Sequence, residues 1–306
     1  MEMGFAAPVS GSWATPDNLA EVAHRAEELG YRTLWTFQRL LYPSGGRGWA
    51  PVYRSVLDPL VTLGFLAAQT SRIRLGVAVV NAPFYSPALL AKQLTTVDVL
   101  SGGRLVAGLG LGWSDEEYVA SGVPKEGRGR RLAEHIEVLT QLWTGDVTHE
   151  GEHYRLLPSR QDPKPVQRPH PPILLGGSAE PALRRAGRLA DGWISASMFS
   201  PDQIASAIAT IREAAEQAGR DPGALSFVCR GSVAVRPEPL EGMPYSGPID
   251  LVRQRIAEVA EAGITEFFVD PNFDPAVGSP DADPAATMDR VRELLADLAP
   301  DRPGTG

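Results

Sequence analysis

The chain has 306 residues, a formal charge of −8 and a single cysteine, Cys229. The acidic balance argues against a nucleic-acid or anionic-membrane binder. One cysteine leaves no intrachain disulfide or cysteine-based metal site, and no apolar run approaches the ~18 residues of a membrane span. With 43% hydrophobic residues, the chain reads as one soluble globular domain over 1–306, able to bury a large core. It carries no basic leader segment, so it is expected in the cytoplasm.

Short apolar runs alternate with amphipathic ones along the whole chain. Residues 3–9 predict a strand, and 16–29 a helix with Leu19, Val22, Ala23, Ala26 and Leu29 on one face. Then follow strand 33–37, helix 59–70, strand 73–80, helix 87–100, strand 104–109 and helix 127–143. Strand 173–175, helix 179–189, strand 193–196, helix 201–218, strand 225–235, helix 249–261, strand 264–269 and helix 283–298 complete eight strands and eight helices.

The junctions carry matching signals. Thr15-Pro16, Asp58-Pro59, Ser86-Pro87 and Ser200-Pro201 each place a capping side chain before a proline at the first helical position, and Gln203 adds a capping box. Gly30, Gly102, Gly192 and Gly263 stand where a helix should stop in a left-handed residue. Eight strand–helix repeats imply a parallel sheet closed into a (β/α)8 TIM barrel. Two stretches break the rhythm: a long loop, 38–57, after the second strand, and a hairpin, 147–157, with a proline-rich connector before the fifth. In such a barrel the first lies at the C-terminal face, where chemistry is done.

Several familiar sites are absent. The first strand is not followed by G-x-G-x-x-G, and no phosphate-binding G-x-x-x-x-G-K-[ST], H-E-x-x-H or G-x-S-x-G occurs. His24 and His135 fall on helices, with solvent-side or half-buried places expected. His149 and His153 flank Gly151 in a turn rather than on a helix, so no metal site is expected. Cys229 is expected to be a buried core thiol. Gly176-Gly177-Ser178 ends a strand and leads into a helix, an arrangement that can hold a phosphate on open backbone N–H groups or can be an ordinary tight turn with a Ser cap. A second glycine-rich strand end, Gly108-Leu109-Gly110-Leu111-Gly112-Trp113, clears side chains where a flat ring could approach. Together they suggest a phosphorylated planar cofactor.

A family resemblance narrows this. Ser71-Arg72-Ile73-Arg74-Leu75-Gly76-Val77, continuing through Ser86-Pro87-Ala88-Leu89-Leu90-Ala91-Lys92-Gln93, resembles the bacterial luciferase-like monooxygenase superfamily. Leu100-Ser101-Gly102-Gly103-Arg104-Leu105, the glycine-rich run at 108–113, Leu142-Trp143-Thr144-Gly145 and Gly176-Gly177-Ser178 with Ala190-Asp191-Gly192-Trp193 are similar to its next landmarks. Within it the chain looks most like the branch that uses the deazaflavin coenzyme F420; FMN-dependent relatives share the landmarks. The resemblance implies a ring lying across the C-terminal mouth, a non-proline cis peptide at Ala78-Val79 behind it, Asn81, Gly110 and Gly112 near its edge, and its phosphate on Gly176, Gly177 and Ser178. It also implies a homodimer acting on a small molecule.

The sequence departs from that branch after the second strand. Where many deazaflavin-dependent relatives carry an acidic residue and a histidine, this chain has Gln38 and Arg39, and Trp113 stands where the branch's sugar-phosphate dehydrogenases have a glutamate. Both changes disfavour alcohol oxidation, which needs a base, and arginine is a poor base. Arg39 is instead expected to hold an anion or polarise a carbonyl, with Gln38 beside it and Tyr53 as a proton donor. Trp13, Trp49 and Trp113 are expected to converge over the ring against an aromatic or planar substrate. The expected function is hydride transfer between F420 and a small organic molecule, as a reductase of C=C, C=N or C=O. An FMN-dependent monooxygenase is the alternative, and a non-catalytic flavin-binding barrel the third reading.

Overall fold

Five helices begin where a capping oxygen precedes a proline, the last of them behind Asp283-Pro284, where Asp283 accepts from the N–H of Ala286. Thr15 accepts from the N–H of Asn18, Asp58 from Leu60 and Val61, Ser86 from Leu89 and Ser200 from Gln203, whose side chain returns a bond to close the capping box. The computed structural model describes residues 1–46 and 48–301. Its elements run β1 (Glu2–Ala6), α1 (Pro16–Leu29), β2 (Thr33–Thr36), α2 (Pro59–Gln69), β3 (Arg74–Val77), β4 (Val80–Asn81), α3 (Pro87–Leu100), β5 (Leu105–Gly110), α4 (Asp115–Ala120), α5 (Arg128–Thr144), β6 (Asp146–Glu150) and β7 (Arg155–Arg160). They continue with β8 (Ile173–Gly176), α6 (Glu180–Leu189), β9 (Gly192–Ile194), α7 (Pro201–Gln217), β10 (Ser226–Val235), β11 (Tyr245–Gly247), α8 (Ile249–Glu261), β12 (Glu266–Asp270) and α9 (Pro284–Asp297).

Eight parallel staves close in the order β1-β2-β3-β5-β8-β9-β10-β12, with β12 back on β1. The seam between β9 and β10 pairs Phe227 with Trp193 and Val228 with Ile194. The barrel interior is a small apolar plug: Ala6, Trp35, Ala78, Val106, Leu174, Ile194, Val228 and Phe268, one residue from each stave position. Trp35 stacks on Phe268 at 5.2 Å, and its indole N–H donates to Glu266 at 2.7 Å. The larger core fills the annulus between barrel and helices. Strands buried on both faces explain why the sequence shows apolar runs rather than alternation.

The expected barrel is therefore the observed fold, with four differences. The third predicted strand divides into β3 and β4 at a cis peptide between Ala78 and Val79, where the family resemblance places it. Gly192 does not end a helix in a left-handed conformation as Gly30, Gly102 and Gly263 do. It opens β9, where a Cβ would collide with the Ser226 carbonyl on the neighbouring strand, so close approach rather than turning is its role. His135 is fully buried on α5, because the hairpin β6–β7 leans on that helix and Tyr154 covers its Nδ1 at 3.1 Å. Finally, β11 adds a short parallel strand to the end of β10. Cys229 is buried, and burial pushes its thiol up to about 11. His149 and the His153 backbone N–H are both taken up by Glu134. No described helix is long and apolar enough to cross a membrane.

Candidate active site

Side chains alternate along a strand, so residues two beyond the interior plug point inward one layer higher, at the C-terminal mouth. That layer is small on one side, with Gly176 and Ala196, and large on the other, with Phe37, Arg230 and Asp270. The asymmetry leaves a cavity of about 420 Å³ over the plug, inside the range of small-molecule sites. Val79 projects into it between β5 and β8. A Cβ on Gly110 would collide with the Val79 methyl Cγ2, and one on Gly176 would press Cγ1 at 3.1 Å. These glycines keep a flat face open around Val79.

Gly177 and Ser178 line the cavity beside the start of α6. Gly177 has φ +136°, open to glycine and strained for other residues. The alternative reading of this turn would cap the helix with Ser178, but the N-cap is Ala179 and no side chain bonds the helix end. Ser178 stays exposed one residue upstream, and the N–H groups of Gly177, Ser178 and Ala179 make no backbone hydrogen bond among the described residues. Arg128, the first residue of α5, lines the same cavity. Open N–H groups, a positive helix end and a guanidinium together suit a phosphate.

On the opposite side the predicted residues divide. Gln38 is fixed at both ends: its Nε2 donates to Tyr85 Oη at 2.6 Å and its Oε1 accepts from the Asn81 N–H at 2.8 Å. Its amide therefore positions β4 against β2 and is not free for chemistry. Burial pushes the Tyr85 phenol up, which keeps that phenol protonated. Asn81 lines the cavity, with Gly112 packed beside its amide. Tyr53 also lines it and packs edge-on against Phe37 and Phe273.

Arg39 lines the cavity, yet its guanidinium is held elsewhere. Nη1 stands 3.0 Å from Oε2 of Glu117, a carboxylate with no solvent exposure. The rings of Trp113, Tyr53 and Trp49 surround Cζ at 4.6, 4.7 and 5.1 Å. The expectation that Arg39 is a free anion-binding group is corrected: it is boxed and paired at the rim. Trp113 lines the cavity and is half exposed, whereas Trp49 packs behind it at 4.6 Å, one layer out. Trp13 is not at the mouth. It is fully buried in the main core, because the chain turns at Gly11 and its carbonyl is taken by Thr15 and Asn18 at the start of α1.

Sequence reasoning missed the best-ordered group in the cavity. Arg230 projects from β10, where its Nε and Nη2 each lie 2.7 Å from Oδ2 of the buried Asp270 and its Nη1 donates to the Ala78 carbonyl at 3.2 Å. Oδ1 of Asp270 accepts from the backbone and side chain of Asn272, which in turn bonds Ala7 and Ser10. A lone charge inside the apolar run Phe227-Val228-Cys229-Arg230 was the available signal. Its place two residues past an interior valine puts it at the mouth.

The cavity is thus a flat-walled slot around Val79 with a phosphate-sized cradle at one end. Among the described residues its lining includes three arginines and no histidine, lysine, cysteine, aspartate or glutamate. These features fit a planar ring carrying an anionic tail. The sequence and fold agree with known proteins. The family model for luciferase-like monooxygenase matches residues 2–243. An uncharacterized protein of Mycobacterium tuberculosis is 33% identical over 98% of this chain and 99% of its own. The F420-dependent glucose-6-phosphate dehydrogenase of Kineococcus radiotolerans is 29% identical over 85% of this chain and 76% of its own. Among solved structures, the monooxygenase RslO1 of Streptomyces bottropensis superposes with a TM-score of 0.78 at 22% identity, covering 97% of this chain and 98% of that one. The chain belongs to the luciferase-like monooxygenase family.

Proposed function

We propose that this protein is an F420-dependent oxidoreductase that reduces a C=C, C=N or C=O bond of a small organic molecule. The observation that carries this reading is the lining itself: an open glycine-walled slot with a cradle for a phosphate, and no side chain suited to take a proton from an alcohol. Reduced F420, when bound, supplies the hydride. Gly176, Gly177 and Ser178 with Arg128 would hold its phosphate, while Val79, Gly110, Gly112 and Asn81 would bound its ring. The likeness to an F420-dependent dehydrogenase across 85% of the chain supports the cofactor. The chain's own residues then have three tasks. Trp113 and Phe37 exclude water from the slot, Arg39, paired with Glu117, holds the Tyr53 and Trp113 rings in place at the rim, and the Tyr53 hydroxyl, which makes no hydrogen bond among the described residues, donates a proton to the reduced product.

A lining without histidine or carboxylate among the described residues also suits an FMN-dependent monooxygenase, in a family described as luciferase-like monooxygenase. Titration of the purified protein with F420 and, separately, with FMN, read by fluorescence quenching, decides between them. Binding of F420 with no binding of FMN supports the proposal. The opposite result supports the monooxygenase, and binding of neither leaves a barrel without a redox role.

A further inference from the structure

Arg230 and Arg39 stand on one wall of the mouth, linked by a column of rings. Arg230 Cζ lies 4.4 Å from the Phe273 ring and 4.8 Å from Phe37; Tyr53 packs on both rings, at 5.7 and 6.4 Å, and itself carries the Arg39 guanidinium at 4.7 Å. Arg39 is already committed to Glu117. Arg230 is fixed but not exhausted. An arginine has five N–H donors, and the described partners of Arg230 are one oxygen of Asp270, met by Nε and Nη2, and the Ala78 carbonyl, met by Nη1. Two donors remain on a side chain only 11% exposed that lines the cavity. Buried donors without acceptors are costly, and among the described residues no carboxylate lines this cavity to receive them.

These donors are open to a ligand that brings its own acceptor. A guanidinium held in one plane presents its N–H groups as a fork that matches the two oxygens of a carboxylate, and the wall beside it is aromatic. We infer that Arg230 binds the carboxylate of a planar, conjugated organic acid, whose π system lies along Phe37 and Tyr53. The inference rests on the reading that the glycine cradle and Arg128 take the cofactor phosphate, which leaves Arg230 to the substrate.

Calorimetry with trans-cinnamate and its neutral isostere trans-cinnamamide tests it, on the protein alone and on the protein preloaded with oxidised F420. Cinnamate is expected to bind at least about tenfold more tightly than the amide, the scale of one charge-assisted contact. Arg230→Lys keeps the charge opposite Asp270 but loses the fork, and should reduce that preference to about threefold or less. Its F420 affinity should stay within about twofold of wild type. If Arg230→Lys does not fold, Arg230→Gln with Asp270→Asn removes both charges together and must show the same loss of preference. Equal binding of acid and amide, no cinnamate binding at about 10 mM, or a preference that survives the substitution overturns the inference. A fall in F420 affinity matching the fall for cinnamate also overturns it, by assigning the guanidinium to the cofactor. Cinnamate preference in a protein that takes up no F420 leaves this inference standing and removes the cofactor reading; F420 uptake without the preference does the reverse.

Discussion

Glu117 clips the loop after β2 to α4 with both of its oxygens. Oε2 stands 3.0 Å from Nη1 of Arg39, and Oε1 accepts from the backbone N–H groups of Leu40 and Leu41 at 2.7 and 3.1 Å. The carboxylate is fully buried, and its helix is capped by Ser114. Two charges buried together are only weakly stabilising, but one left alone is costly.

Arg39→Ala is thus expected to cost stability before it costs catalysis. We expect about 3 kcal/mol, the lower end for breaking a buried pair, because the two N–H groups still bond Oε1. Arg39→Ala with Glu117→Gln should recover most of that loss, giving a coupling of about 2 kcal/mol in a double-mutant cycle by urea unfolding. Additive effects would show that the two charges do not act as a pair.

Gly177→Asp tests the phosphate cradle, and the backbone there demands a control. At φ +136°, with Ala182 Cβ only 2.7 Å from the position of an added Cβ, any side chain strains the turn. Gly177→Ala should lower stability and weaken F420 binding slightly. Gly177→Asp should weaken binding by a further ~1–3 kcal/mol through the misplaced negative charge. Equal affinities for the two folded variants would detach the cradle from the phosphate.

The barrel was legible because its punctuation is local. Asp58-Pro59, Ser86-Pro87 and Ser200-Pro201 each settle a helix start with two adjacent residues, and the helices begin there. The glycine-rich strand ends were legible for the same reason. The charged wall of the site was not, since Arg230 meets Asp270 forty positions later and Arg39 meets Glu117 across another strand and loop. Nothing in the run Asp115-Glu116-Glu117 distinguishes the third carboxylate, which is buried, from the first two, which face solvent. Trp13 misled for a related reason: a tryptophan in a loop after a barrel strand has the same composition whether the next turn folds it over the mouth or into the core.

Gly110 and Val79 offer a compensation experiment. Gly110→Ala places a methyl against Val79 Cγ2 and should displace that side chain into the slot. F420 affinity should fall by about tenfold or more, a cost of the order of overpacking. Adding Val79→Ala removes the colliding methyls and should restore part of the affinity. A double variant that binds no better than Gly110→Ala would mean that Val79 does not shape the ring site.

His135 gives the protein a pH dependence that can be separated from its chemistry. The ring is fully buried on α5, Nδ1 is 3.1 Å from Tyr154 Oη, and Nε2 has no partner among the described residues. Burial pushes its pKa down to about 4, from an ordinary value of 6.5. The unfolded chain therefore takes up the proton first, so stability is fully present above pH 6.5 and is lost as pH falls toward 4. By pH 5 the loss should reach about 2 kcal/mol. Burial pushes the Glu266 carboxyl up, which acts in the opposite sense, so the His135 contribution is read as the difference between wild type and a variant that lacks the ring. His135→Gln keeps a polar partner for Tyr154, suits a helix and cannot titrate. Its unfolding free energy, measured in urea at half-unit steps, should fall by about 2 kcal/mol less than that of wild type across the same window. A wild-type slope that persists unchanged in His135→Gln would assign the proton to another group.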